Sequence, residues 1–283
     1  MLTVLRAGPM TTVQDHGRPG LAHLGVPPSG AADRNALDRG NRLVGNAPGA
    51  AALEATLIGP ALRFDAPAVF AVTGAEVETT LAGRRLARAT AARAAAGEVL
   101  DVGRCTRGAR AYVCVRGGID AEETLRSRST DLLTGLGPPP LHDGDVLRVG
   151  REPPTEPAPE PAPVLPREPV LHVTPGPRDD WFEPSAVDLL ASSTWRVSPA
   201  SNRVGIRLEG PRLERRTRDE LLSEGVVTGS LQVPSSGQPI LLLVDHPTTG
   251  GYPVIAVVAS ADLPLAGQLA PGASVRLRLT HGS

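Results

Sequence analysis

Residues 153–169 read PPTEPAPEPAPVLPREP. Proline this dense removes backbone donors and fixes φ, which blocks helix and central strand and favours an extended polyproline spacer. The stretch 151–169 is therefore expected to separate an N-terminal domain, residues 1–150, from a C-terminal domain, residues 170–283. Both are of ordinary domain size.

The two halves echo each other. Ser129-Thr130-Asp131-Leu132 returns as Ser260-Ala261-Asp262-Leu263. Each copy follows an apolar run (112–115 and 254–258) and precedes a glycine-containing turn into a terminal strand (144–148 and 272–276). Val26-Pro27-Pro28-Ser29-Gly30 is echoed by Val233-Pro234-Ser235-Ser236-Gly237 at a different spacing. The pattern favours two similar β domains with equivalent loops rearranged.

Composition points the same way. Among 283 residues, 31 Gly and 29 Pro with only 2% aromatics cut the chain into short segments, which favours a mainly β architecture with a few short helices. The formal net charge of −1 provides no global field for nucleic acid or an anionic membrane. No apolar run approaches the roughly 20 residues of a membrane helix, and residues 1–10 lack the pattern of a signal peptide, so a cytoplasmic protein is expected. All 29 basic residues are arginine, which excludes a Walker A lysine, a Schiff-base lysine and a Ser–Lys mechanism.

Local patterns sharpen the outline. Asp33 is placed to cap a helix over 34–44 that ends at Gly45. Thr217-Arg218-Asp219-Glu220 has the form of a capping box, and 179–190 has helical apolar spacing. The Arg/Ala-rich 84–96 reads as helix by propensity but as strand from its neighbours. Residues 99–115 read as a hairpin turning at Arg107-Gly108, which leaves Cys105 and Cys114 too far apart to bridge. Two free thiols suit a reducing compartment.

Three polar clusters carry the candidate chemistry. The first, residues 12–33, gathers Gln14, Asp15, His16, Arg18, His23, Ser29 and four glycines between Gly17 and Gly30. Its glycines let a ligand approach backbone N–H groups, and Arg18 offers a fork for a carboxylate or phosphate. The bland alternative is a polar turn with Arg18 paired to Asp15 and Asp33 acting as a cap. The second cluster, Arg126-Ser127-Arg128-Ser129-Thr130-Asp131, reads either as an anion-binding helix N-terminus with Arg128 as ligand contact, or as plain capping. The third, Asp245-His246-Pro247-Thr248-Thr249-Gly250-Gly251-Tyr252-Pro253, joins two apolar runs (239–244 and 254–258) and has Gln232 and Gln238 nearby. It offers hydroxyls, a bare backbone and amide-binding groups. His142, His172 and His281 look isolated, and no histidine pair has the spacing of a metal site. His23 alone suggests acid/base work.

Taken together, TVQDHGRPGLAHLGVPPSGAAD, RSRSTDLLTGLG, VSPASNRVGIRLEG, SEGVVTGSLQVPSSGQPI and DHPTTGGYPVIAVVASADLP resemble the biotin-dependent carboxyltransferase-like family, also called the allophanate hydrolase second-subunit family. The resemblance implies two cyclophilin-like β-barrel domains with a cleft between them. It implies a part in ATP-dependent opening of 5-oxoproline (pyroglutamate) to glutamate, an amide (lactam) hydrolase activity that requires 5-oxoprolinase subunits A and B, the KipI-like partner. A biotin-dependent carboxyltransferase acting on urea or a similar amide is the alternative enzyme. A regulatory module that antagonises a kinase inhibitor is the non-enzymatic one. Carried over by motif, Asp15, Arg18, Arg128, Asp262 and Tyr252 are expected to be catalytic. Gln14, Ser29, Ser129, Thr130, Asp131, Gln232, Gln238, Thr249, Gly250 and Gly251 are expected to bind substrate. His16 and His246 depart from the pattern; the second stands where arginine is expected, which calls into question a cation beside the Thr-Thr-Gly-Gly turn.

Overall fold

A computed structural model describes residues 1–217 and 219–280. Arg218 of the expected capping box and His281 lie outside the described residues. The chain divides into two compact units: Met1–Arg18, Ser29–Asp131 and Gly135–Leu165 form the first, and Pro19–Pro28, Leu132–Thr134 and Pro166–Ser283 the second. No helix among the described residues is long and apolar enough to cross a membrane.

The first unit is built on a nine-stranded, largely antiparallel sheet. Its strands are β1 (Leu2–Arg6), β2 (Thr11–Gln14), β3 (Ala52–Thr56), β4 (Ala61–Phe64), β5 (Ala68–Leu81), β6 (Arg84–Arg85), β7 (Ala92–Ala94), β8 (Val99–Val115) and β9 (Val146–Leu147). The order β2-β3-β8-β4-β1-β9 is flanked by β5, which pairs with β6, β7 and β8. The sheet is open, so the first half is a curled sheet and the second alone is a closed barrel. One face buries Leu2, Val4, Leu53, Leu62, Phe64, Phe70, Leu100 and Val113, with the Phe64 and Phe70 rings 5.0 Å apart.

The expected hairpin over 99–115 is instead one 17-residue strand, paired along its length with β5. Gly108, at φ +86°, marks an irregularity where the register slips between Gly74 and Val77, so both strands bend together rather than reverse. Cys105 therefore pairs with Val77 on β5 rather than with a residue of its own strand. It lies nine residues from Cys114 on the same strand, roughly 30 Å at ~3.3 Å per residue. Both thiols are free. Burial raises the Cys105 pKa to about 11 and pushes Cys114 up further, so both stay protonated.

Helix α1 (Arg34–Leu43) begins as its sequence dictates, with the Asp33 carboxylate accepting from the Ala36 N–H at 2.9 Å. Its buried face, Ala36, Leu37, Gly40, Asn41 and Leu43, lies on the sheet beside Tyr112 and Cys114. A Cβ on Gly40 would come within 2.5 Å of Cys114 Sγ and 2.9 Å of Thr73 Oγ1, so glycine is what lets the helix lie this close. The proline-rich stretch forms neither helix nor strand, and up to residue 165 it is strapped to this unit. Glu160 pairs with Arg39 and Arg42, Ala158 N–H donates to Arg42 O, and Arg116 holds Pro153 O.

The second unit closes. Strands β10 (Val170–Pro175), β11 (Thr194–Val197), β12 (Gly205–Glu209), β13 (Glu224–Gly225), β14 (Ser230–Gln232), β15 (Ile240–Leu242), β16 (Thr249–Gly250), β17 (Val254–Val258) and β18 (Ser274–Leu279) are short. Seven form a barrel in the order β10-β17-β14-β15-β12-β11-β18, and β13 pairs with β16 as a separate ribbon. Strict alternation fills the interior: Trp195, Val197, Ile206, Leu208, Val275 and Leu277 point in, while Arg196, Arg207 and Arg276 point out. The helix expected over 179–190 splits into a 3-10 turn, Asp179–Trp181, and α2 (Pro184–Ser192), because Pro184 starts a new helix at its first position. Residues 219–223 carry no helix; Thr217 Oγ1 accepts from the Asp219 N–H at 3.3 Å in a local turn instead. A short helix, α3 (Leu263–Ala266), follows the Ser260–Asp262 turn.

Gly40→Ala is expected to destabilise the first unit by about 1–3 kcal/mol through overpacking, despite the better helix propensity of alanine. Adding Cys114→Ala should recover most of the loss in urea denaturation. A Gly40→Ala single variant more stable than the parent would refute the close approach.

Candidate functional site

In the first unit, the candidates gather where β2 runs into the loop at 127–131. Asp15 is the hub. Its Oδ1 accepts from Gly17 N–H at 2.7 Å, Ser127 Oγ at 2.6 Å and Ser129 Oγ at 2.5 Å, and its Oδ2 accepts from Arg128 N–H at 2.7 Å. Four protein donors occupy this carboxylate, so it fastens a loop rather than orienting water. Arg18 is buried, and its Nη2 donates at 2.6 Å to Ser129 O rather than to Asp15. Ser29 Oγ and Gln14 Nε2 both donate to Thr130 O at 2.9 Å.

Arg128 contributes its backbone to this knot, while its side chain reaches Ala121 O at 3.0 Å and Glu123 at 3.4 Å. Residues 132–134 form a turn, not a helix, so the expected anion-binding N-terminus over 126–131 does not exist. Within that loop the Arg128 N–H and the Ser127 and Ser129 hydroxyls go to Asp15, while the Ser127 and Thr130 N–H groups donate to Thr124 O and Val13 O. Asp131, also buried, has its N–H bonded to Leu136 O at 2.9 Å.

The knot does not satisfy every polar atom in it. Among the described residues, Gln14 Oε1 and Thr130 Oγ1 have no hydrogen-bond partner, though their side chains are 0% and 2% exposed. Orphaned buried polar atoms are rare enough to mark places for a polar guest.

In the second unit, the register divides the candidates. Gln232 stands opposite Val254 at the start of β17, and its Nε2 donates to Tyr252 O at 3.2 Å. Gly250 packs against the Gln232 amide, where a Cβ would not fit. Thr249, Gly251 and Tyr252 are exposed, Tyr252 at 49%. Asp262 lies beyond the other end of β17, so a five-residue strand, a rise of roughly 13 Å, separates it from Tyr252. There Asp262 Oδ2 accepts from His172 N–H at 2.6 Å and bonds His172 Nδ1 at 2.8 Å. His172 is thus an oriented partner, not an isolated edge residue. Gln238 is spent on the fold: its amide bonds both the N–H and the C=O of Gly210, at 2.9 and 3.1 Å.

A cation does stand beside the glycine turn, though not at position 246. Arg215 Nη2 donates to Val233 O, and Val233 N–H donates to Pro253 O at 3.0 Å, which brings the guanidinium to the turn that carries Tyr252. Glu224 lies opposite Gly250 in the β13–β16 ribbon and pairs with Arg178 at 2.7 Å. Sequence reading passed over Arg215, Glu224 and Arg178. The motif around Ser223-Glu224-Gly225 stands out along the chain, but nothing there shows that it pairs with Thr249-Gly250. His246 is buried, its Nδ1 bonded to Pro247 O at 2.7 Å, and burial lowers its pKa. Beside it, Arg203 forks onto Asp245 at 2.8 and 3.0 Å, both side chains buried. His23 is exposed on the 3-10 turn Ala22–Leu24.

Asp15→Ala should destabilise the first unit by about 3 kcal/mol or more in urea denaturation, because it strands several donors at once. His246 makes a pH prediction. Its folded pKa lies below the unfolded value of about 6.5, so the unfolded chain binds the extra proton. Stability due to this residue is complete above that value and is lost as pH falls. His246→Gln should flatten the acid limb of a Tm-versus-pH curve below about pH 6.5.

Known proteins share this architecture. The family model for the carboxyltransferase domain, subdomain A and B, matches residues 24–279. The C subunit of the Escherichia coli 5-oxoprolinase is 40% identical over 266 residues, 93% of this chain and 86% of that protein. Its Haemophilus influenzae counterpart, also a 5-oxoprolinase C subunit, is 35% identical over 98% of this chain and 90% of that protein. The crystal structure of the Kluyveromyces lactis urea amidolyase superposes with a TM-score of 0.93 at 35% identity, covering 99% of this chain but 19% of that one. An open curled sheet and a closed barrel, matched almost end to end by these relatives, make this chain a member of the carboxyltransferase subdomain A and B family.

Proposed function

We propose that the chain is the C subunit of an ATP-dependent 5-oxoprolinase, which opens 5-oxoproline to L-glutamate in a cytoplasmic complex with subunits A and B. The observation that carries this reading is the similarity to 5-oxoprolinase C subunits across 86% to 90% of the relatives' own length. Two free, protonated thiols suit the reducing cytoplasm.

The chemistry sets the requirements. A lactam is a poor electrophile, and ATP supplies a phosphoryl group that turns the carbonyl oxygen into a leaving group. Water adds to the ring carbon, the C–N bond breaks, the nitrogen takes up a proton, and phosphate departs when the acyl phosphate is hydrolysed. Without lysine, this chain handles phosphate through arginine or backbone amides, or leaves ATP to a partner subunit. The turn at Thr249–Gly250 and Tyr252, with Gln232 beneath it, offers a bare backbone, hydroxyls and amide groups to hold the ring. Asp15, Arg18 and Ser129 hold the first unit's loop, and Gln14 and Thr130 receive a polar guest.

The alternative, biotin-dependent carboxyl transfer to urea or a similar amide, is favoured by the urea amidolyase likeness. That protein is about five times the matched length, and a lysine-free chain has no residue to carry biotin, so the carrier would have to come from elsewhere.

Glutamate release from 5-oxoproline by the chain reconstituted with its neighbouring subunits should require ATP and be indifferent to avidin. Tyr252→Ala should lower turnover by about tenfold or more with Tm nearly unchanged, because the side chain is half exposed. Arg18→Ala should lower turnover and Tm together. Avidin-sensitive carboxylation of urea with no glutamate release would sink the 5-oxoprolinase reading.

A further inference from the structure

The rim of the closed barrel around Tyr252 carries an unusual pair. Arg215 is a partly buried guanidinium whose one hydrogen bond among the described residues goes to a backbone carbonyl, Val233 O, while its Nε is buried without a partner. Two nearby arginines do have carboxylates: Arg178 pairs with Glu224, and Arg212 with Glu214. Burying a cation without a counter-anion costs free energy, and burial accordingly lowers the Arg215 pKa, opposed only by nearby Tyr252. Glu224 is its complement. Oε2 holds Arg178 at 3.0 and 2.7 Å, while Oε1 is buried and accepts nothing among the described residues. An idle donor and an idle acceptor thus flank one turn, Arg215 through Val233 and Pro253, Glu224 through its pairing with Gly250. Gly251 and Tyr252 leave that turn open to solvent.

We propose that Arg215 and Glu224, with the turn at Thr249–Gly250 and Tyr252 between them, bind an α-carboxylate that has an N–H on the neighbouring carbon. The ligand class is an α-amino acid or its lactam. Arg215 takes the carboxylate, and the Glu224 Oε1 takes the N–H. Naming 5-oxoproline as the physiological member rests on the function proposed above; the recognition chemistry does not.

The test measures equilibrium binding to the full chain by calorimetry, and KM in the reconstituted complex. Three five-membered rings serve as probes: 5-oxoproline, 2-pyrrolidone (N–H but no carboxylate) and tetrahydrofuran-2-carboxylate (carboxylate but no N–H). 5-Oxoproline should bind tightest. Arg215→Gln should weaken it by about tenfold or more, the worth of a charge-assisted hydrogen bond, and leave 2-pyrrolidone unchanged. Arg215→Lys, which keeps the charge but not the fork, should fall between. Glu224→Gln should erase the preference for 5-oxoproline over tetrahydrofuran-2-carboxylate. Near-UV circular dichroism checks that each variant is folded. Binding and KM unaffected by both Arg215 substitutions, or no carboxylate preference in the unaltered chain or its complex, overturns the site. Carboxylate-dependent binding that needs Arg215 but comes with no turnover keeps the site and overturns the enzymatic reading alone.

Discussion

The first unit depends on one carboxylate that is never left unpaired. Asp15, at the end of β2, gathers two serine hydroxyls and two backbone N–H groups, and three of these four donors come from residues 127–129. Segments more than a hundred residues apart in sequence are thereby held as one surface. Arg18, Gln14 and Ser29 add bonds to the same loop, at Ser129 O and Thr130 O. Each bond alone contributes about 1 kcal/mol, but a shared acceptor makes them fail together.

Arginine is the only long cation in the chain, and the structure uses its geometry. Arg203 forks onto Asp245, and Arg178 places two nitrogens on one oxygen of Glu224. A planar guanidinium suits such two-point contacts, where an ammonium supplies only a point charge. These clamps frame the long connection from β15 to β17: one end is pinned by Arg203 at Asp245, the other stiffened by the β13–β16 ribbon. The exposed glycine turn projects from an otherwise tethered segment.

Much of this is legible along the chain, for identifiable reasons. Capping chemistry is local, so Asp33 and α1 are readable; so are β17 and the terminal strand β18, where apolar runs meet turn residues. The β character of 84–96 follows from its neighbours, against its helical propensity. The stretch 99–115 misleads because Gly108 supplies positive φ equally well to a bulge and to a turn, and only the partner β5 decides between them. The polar clusters can be located from sequence, but not the roles within them. Asp15 looks free because its partners lie at 127–129, and Arg215 looks idle because the turn it faces comes nearly forty residues later. Pairings over such separations are invisible to spacing arguments.

Closure of the barrel has a further consequence. β18 is the last strand of its unit, yet it lies between β10 and β11, parallel to the first and antiparallel to the second. During synthesis on the ribosome, the strands before it emerge with β10 and β11 each showing a raw hydrogen-bonding edge that no earlier segment covers. Such edges are templates for wrong partners, and a nascent chain that ends before Ser274 carries two of them.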